Sequence, residues 1–152
     1  MTAELPRQGR LAGLDYGTVR IGVAITDPDQ RFASPHENYT RRDLAVDAAW
    51  LKKLAAEERL AGLVVGLPVH TDGHESQKSA EARRFGQWAG EQTGLPVAFF
   101  DERYTSSHAE ALLQEAGLTS KQRKQRLDKL AAQIMLAAYL ESARDSREPG
   151  AL

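Results

Sequence analysis

Apolar residues change their spacing several times along this chain, and each change marks an element. Leu11 to Asp15 is a short apolar run that ends on a carboxylate, which predicts a strand. Tyr16-Gly17-Thr18 reads as a turn. From Val19 to Ile25 the odd positions (Val19, Ile21, Val23, Ile25) are β-branched, and the even ones are Arg20, Gly22 and Ala24. That period of two predicts a second strand, paired with the first as a hairpin. "DPDQ" at 27–30 is a turn, and Arg31 to Asn38 predicts a third strand weakened by Pro35. The period then lengthens. Asp43 to Glu58 carries Leu44, Leu51, Leu54 and Ala55 at three-to-four spacing, the mark of a helix. "LVVGLP" at 63–68 is a buried strand stopped by Gly66 and Pro68, and Glu75 to Gln92 is a helix closed by Gly94 and Pro96. "PVAFFD" is a further strand. Ser107 with Glu110 forms a capping box that opens a helix ending near Gly117. A long helix follows, from about Ser120 to Ser142.

Three strands followed by β/α alternation predict an α/β fold, a mixed five-stranded sheet flanked by helices. One domain spans 10–142, with flexible tails at 1–9 and 143–152. In open α/β sheets, sites form beyond the carboxyl ends of strands. Asp15, Gly66 and the pair Asp101-Glu102 all fall at such ends.

Composition narrows the chemistry. The 152 residues are 41% hydrophobic, enough for a core. A formal net charge of −1 gives no global attraction to nucleic acid or membrane, so any basic surface is local. With no cysteine, disulfides, thiolate zinc sites and cysteine nucleophiles are excluded. The N-terminus lacks the apolar stretch of a signal peptide, and no run approaches a membrane span, so a cytoplasmic protein is expected.

The acids carry the functional question. Asp15 serves either as a turn residue for the hairpin or as a ligand. Asp101 and Glu102 either join Arg103 in a loop ion pair or end a strand at a site. Asp128 either pairs with Lys124 on a helix surface or projects toward the sheet edge. Together, acids ending two strands and one on a helix make an all-oxygen pocket. Hard divalent cations such as Mg²⁺ bind that way, and they serve phosphoryl transfer. Lys121, Arg123, Lys124 and Arg126, beside Asp128, form a local basic patch suited to a polyanionic backbone, or else a solvated helix face.

The motifs "LDYGTVRIGVAITDP", "VVGLPVHTDGHESQKS", "DERYTS" and "RLDKLAAQIMLAAYLE" occur in this order between about positions 11 and 141. In them the chain resembles the YqgF (RuvX) family of the RNase H-like superfamily, which includes Holliday junction resolvases. The resemblance implies an RNase H-like fold and a metal-dependent nuclease that trims the 5′ end of pre-16S ribosomal RNA in ribosome biogenesis. Resolution of four-way DNA junctions is the alternative. It implies Mg²⁺ or Mn²⁺, a structured nucleic acid as substrate and a ribosomal precursor particle as partner. Carried over residue by residue, the catalytic and metal-binding acids are Asp15, Glu102 and Asp128. Gly17, Asp101, Arg103 and His70 support them, and Arg20 joins the basic residues in nucleic-acid binding. One departure from the wider superfamily stands out. The strand expected beside β-strand one, "VVGLP", carries no acid, so either Glu102 reaches inward across about 10 Å of sheet or the site holds only one firm metal in the absence of substrate. His70 also stands where a residue such as Asn is expected.

Other constellations are weaker. His70 and His74 have helical metal spacing, but Pro68 and Gly73 put them in a loop. Gly13, Gly17 and Gly22 make no dinucleotide fingerprint. Met135, Tyr139, Trp50 and Trp88 read as core residues. "LDYGT" also looks like the phosphate hairpin of actin-like ATP-binding enzymes, which use two such lobes where this length supplies one. A non-catalytic RNA-binding factor is a third reading, against which the retained acids count.

Overall fold

The computed structural model describes residues 4–68, 77–102 and 120–147, with the side chains of 120–129 and 144–147 outside the described set. The element order is β1 (Arg10–Tyr16), β2 (Arg20–Thr26), β3 (Ala33–Thr40), α1 (Leu44–Glu57), β4 (Leu60–Leu67), α2 (Gln77–Thr93), β5 (Val97–Asp101) and α3 (Ser120–Arg147). The helix expected between Ser107 and Gly117 lies outside the described residues. The strands form one five-stranded sheet in the order β3-β2-β1-β4-β5. β2 pairs antiparallel with β1 and β3, and the β1–β4 and β4–β5 pairs are parallel.

The period of two along β1 and β2 sorts residues between two covered faces, not between core and water. Ala12, Leu14, Ile21, Val23 and Val65 pack with Leu51, Leu54 and Phe85 from α1 and α2. Leu11, Ala24 and Val64 pack with Ala132, Met135 and Leu136 from α3. Each fully buried Leu or Val among them contributes roughly 1.5–3 kcal/mol of transfer free energy. The residues of β1 that face α3 are Leu11, Gly13 and, continuing the alternation, Asp15. A side chain at Gly13 would come within 3.0 Å of Leu136 Cβ and 3.3 Å of the Ala132 carbonyl oxygen, so α3 crosses β1 very closely there.

Helix α1 starts where Asp43 caps it, its side chain accepting a hydrogen bond from the Val46 amide at 2.9 Å. Its buried stripe is Asp47, Leu51 and Leu54, and the expected stripe member Leu44 is 63% exposed. Asp47 is tolerated inside because its carboxylate accepts from the Tyr39 hydroxyl (2.7 Å) and the Arg42 amide (2.8 Å). Burial, followed by that hydrogen bond, pushes the Tyr39 phenol up to about 12. Val19, expected in β2, precedes the strand and is 61% exposed at the hairpin tip.

Pro35 does not interrupt β3, because β3 is an edge strand and one of its sides needs no donor. The register shifts there: Val23 faces Glu37 and Ala24 faces Pro35, leaving His36 as the extra residue of a bulge. Parts of the segments expected as tails, at 1–9 and 143–152, are among the described residues. Leu5 is buried against Leu11 and Ala24, and the Gln30 side-chain amide donates to the carbonyls of Pro6 (2.8 Å) and Gly9 (2.9 Å), so residues 5–9 are tied down. At the other end α3 continues past Ser142 to Arg147. Among the described residues no helix is long and apolar enough to cross a membrane.

Candidate active site

The carboxyl ends of β1, β4 and β5 lie side by side. Leu14 of β1 is level with Val65 of β4, so Asp15 is level with Gly66, and Gly66 is level with Phe100 of β5. Glu102 follows Asp101 at the end of β5, two strands away from Asp15. Sequence reasoning leaves a gap of about 10 Å to close. Gly66 lets Glu102 close it. The Glu102 side chain folds inward over Gly66, and a Cβ there would sit 2.8 Å from its Cδ and 2.9 Å from its Cγ. Having crossed β4 in this way, the carboxyl makes a side-chain hydrogen bond with Asp15.

Two carboxyl groups share a hydrogen bond only if one of them carries a proton. Burial holds the Glu102 carboxyl above its ordinary range. The hydrogen bond with Asp15 pulls it down, and the charge of adjacent Asp101 pushes it up again. The pair is thus a half-buried cluster of carboxyl oxygens, where a cation is favoured. The donor set is hard oxygen, which suits Mg²⁺ or Mn²⁺ in the same position.

A cleft of about 300 Å³ opens beside this pair, lined by Tyr16, Gly17, Thr18, Pro68, Lys78 and Glu102 among others. A second cavity of about 400 Å³ adjoins it across Tyr16 and Glu81. The hairpin turn that borders the cleft depends on Gly17. A side chain there would approach the Arg20 carbonyl oxygen to 2.5 Å, and backbone cannot yield as a side chain can.

A family model described as "RuvX: Holliday junction resolvase" matches residues 9–142. The chain belongs to the RuvX family. A family relative from Rhodopirellula baltica, named "Putative pre-16S rRNA nuclease", is 51% identical over 145 residues, covering 94% of this chain and 84% of the relative. A relative of the same name from Cereibacter sphaeroides is 42% identical over 139 residues, covering 91% and 87%. In three dimensions the chain is similar to Thermus thermophilus RuvC in complex with a Holliday junction substrate, with a TM-score of 0.57 at 15% identity over 90% of this chain and 96% of that one. That likeness identifies the sheet as RNase H-like.

Among the described residues of this RuvX-family chain, no three His, Asp or Glu side chains stand close enough to hold a metal ion together. Asp15 and Glu102 meet, and Asp101 acts on Glu102 through its charge. Asp128 belongs to α3, one turn before Ala132, and its side chain lies outside the described set. The same holds for Lys121, Arg123, Lys124 and Arg126, which occupy the first turns of α3. Arg20 opens β2 opposite Thr40 and is exposed. His70 and Arg103 lie outside the described residues. Gly66, which sequence reasoning placed at a strand end and took as a strand stop, is the contributor whose role in seating Glu102 it did not see. A clue was present, since a glycine interrupts an otherwise apolar strand, a common sign of close approach by another group.

Proposed function

We propose that this RuvX-family chain is a divalent-metal-dependent nuclease that hydrolyses phosphodiester bonds, with the 5′ end of pre-16S rRNA in a cytoplasmic ribosomal precursor particle as its substrate. The observation that carries this reading is the passage of Glu102 over Gly66 into hydrogen-bond contact with Asp15. A carboxyl that crosses a neighbouring strand to meet a second one is desolvated and stands beside the charge of Asp101, a cost that a turn residue has no reason to bear. Asp15, Glu102 and Asp128 would hold Mg²⁺ or Mn²⁺. Asp128 joins the set because α3 packs on the face of β1 that carries Asp15 and touches Gly13 one turn after position 128. When bound, such an ion supplies polarisation of a phosphoryl oxygen and activation of water.

The chain's own residues orient and charge the site. Gly17 holds the hairpin turn at the cleft, and Asp101 keeps negative charge behind Glu102. Arg20, Lys121, Arg123, Lys124 and Arg126 hold the polyanion, with His70 and Arg103 in supporting roles. Relatives named for pre-16S rRNA favour the RNA substrate, and the family description favours four-way DNA as the second reading.

The test is purified protein with Mg²⁺ or Mn²⁺ on matched 5′-extended pre-16S RNA and four-way DNA junctions, beside Asp15→Asn. Metal-dependent trimming of the RNA that Asp15→Asn abolishes while its thermal unfolding stays cooperative supports the reading. Selective junction cleavage moves it to the second substrate. Wild-type rates in Asp15→Asn return Asp15 to a turn role.

A further inference from the structure

We propose that the 400 Å³ cavity between β1, α1 and α2 is a subsite for one unpaired nucleotide of the substrate strand, its base against Tyr16 and Trp88 and its phosphate at Arg84. The proposal rests on the nuclease reading above and adds a second contact surface, on the opposite side of the sheet from α3. Its position follows from one step of the chain. Tyr16 comes directly after Asp15, and successive residues of a strand point to opposite faces. One wall of the cavity is therefore the immediate neighbour of the acidic pair.

The lining has the chemistry of a base-stacking site. Tyr16 and Phe85 lie 4.9 Å apart between ring centres, and Phe85 and Trp88 lie 5.8 Å apart. Trp88, taken from sequence as a core residue, is only partly buried and reaches the cavity wall. The volume falls within the range of small-ligand pockets, about 300–1,000 Å³. Unpaired bases are held by aromatic faces together with arginine planes, and each stacked base contributes roughly 1–3 kcal/mol.

Charge at the cavity favours an anion on one side. Arg41 lies over the Tyr16 ring at 5.0 Å and donates to the Tyr16 hydroxyl at 2.9 Å, while its Nε stands 3.7 Å from Asp47. Arg41 is thus fixed as part of the wall, and it offsets the charge of Asp47. Arg84, exposed at the rim, has no hydrogen bond or ion pair among the described residues. Glu81, shared with the cleft beside Glu102, repels a phosphate and suits the amino edge of a base. Leu44 on the rim is 63% exposed, and Val19 on the adjoining hairpin tip is 61% exposed. Both leave apolar surface that a base or sugar would cover.

Trp88 itself reports the occupant. The chain has two tryptophans, so Trp50→Phe leaves Trp88 as the one emitter. The probe is a short duplex RNA with a 5′ single-stranded extension, titrated with Ca²⁺ in place of Mg²⁺ and again in chelator, and binding is followed independently by anisotropy. The extended RNA should quench Trp88, and a blunt duplex should not. Arg84→Glu should weaken binding roughly tenfold and remove the quench, while Lys52→Glu, an equal charge change on exposed α1, leaves both unchanged. If Trp50→Phe does not fold, the same titration is read on total emission, where Trp50, stacked on Tyr39 at 3.8 Å, gives a constant background. RNA binding that leaves Trp88 unquenched and is insensitive to Arg84→Glu overturns the subsite and leaves the nuclease reading standing. AMP alone quenching as strongly at equal concentration assigns the cavity to a free nucleotide and also overturns it. No RNA binding by any form removes both readings.

Discussion

Gly66→Ala separates stability from activity at the proposed site. The backbone at 66 is not among the positive-φ glycines, so alanine meets no conformational strain there. Inside a strand the change should stabilise by about 0.4–1 kcal/mol, because the unfolded chain loses freedom. For a domain of this size that raises Tm by about 1–4 °C. The new Cβ would stand 2.8 Å from Glu102 Cδ, against 3.4 Å or more for an ordinary contact. The obstacle is the far end of a flexible side chain, so Glu102 moves and the sheet does not. The carboxyl retreats by roughly 1 Å from Asp15, and a misplacement of that size costs about 100-fold in rate where geometry is catalytic. The assay pairs thermal unfolding with single-turnover cleavage of 5′-extended pre-16S RNA in Mg²⁺. A variant with Tm raised by about 1–4 °C and cleavage about 100-fold slower is the expected result. Cleavage within twofold of wild type would refute the argument that Glu102 acts from its position over Gly66. Loss of cooperative unfolding would refute the claim that only the side chain yields.

Glu102→Gln should be more stable than wild type at pH 7 in chelator. A carboxyl raised on folding contributes full stability below its unfolded value of about 4.5, and that contribution fades as pH rises through the folded value. The advantage of the variant should therefore shrink as pH falls toward 4.5, and urea unfolding at several pH values would show no such trend if burial and the charge of Asp101 did not raise the Glu102 carboxyl. Replacing Lys121, Arg123, Lys124 and Arg126 together by Gln should weaken RNA binding and flatten its dependence on salt, since fewer counterions are released. An unchanged slope in the binding titration would place the polyanion elsewhere. Asp47→Ala should cost about 3 kcal/mol, because Asp47 is 2% exposed and its loss leaves the Tyr39 hydroxyl and the Arg42 amide without their acceptor and Arg41 without its counter-charge. A loss under 1 kcal/mol in denaturant melts would mean that water replaces the carboxylate.

Local pattern alone carried much of this molecule. Three strands, then alternating helices and strands, follow from the spacing of apolar residues, and Asp43 was legible as the start of α1 because a cap acts only on its own first turn. Asp15 was conspicuous for the same reason: a carboxylate ends an apolar run, whatever lies across from it. Pattern failed where a position is decided by something distant in the chain. Leu44 and Val19 fit the period of their elements and are nonetheless exposed, because each sits at an end that no other described element covers. Asp47 breaks the period and is buried, because Tyr39 and Arg42 supply its hydrogen bonds. Leu5 belongs to a polar segment and still reaches the core beneath α3. Gly66 is the sharpest case. Within β4 it is a missing side chain, and its meaning appears only when β5 is laid beside β4 and Glu102 occupies the space. Periodicity records which way a residue points, whereas the distance between strands decides what it meets there.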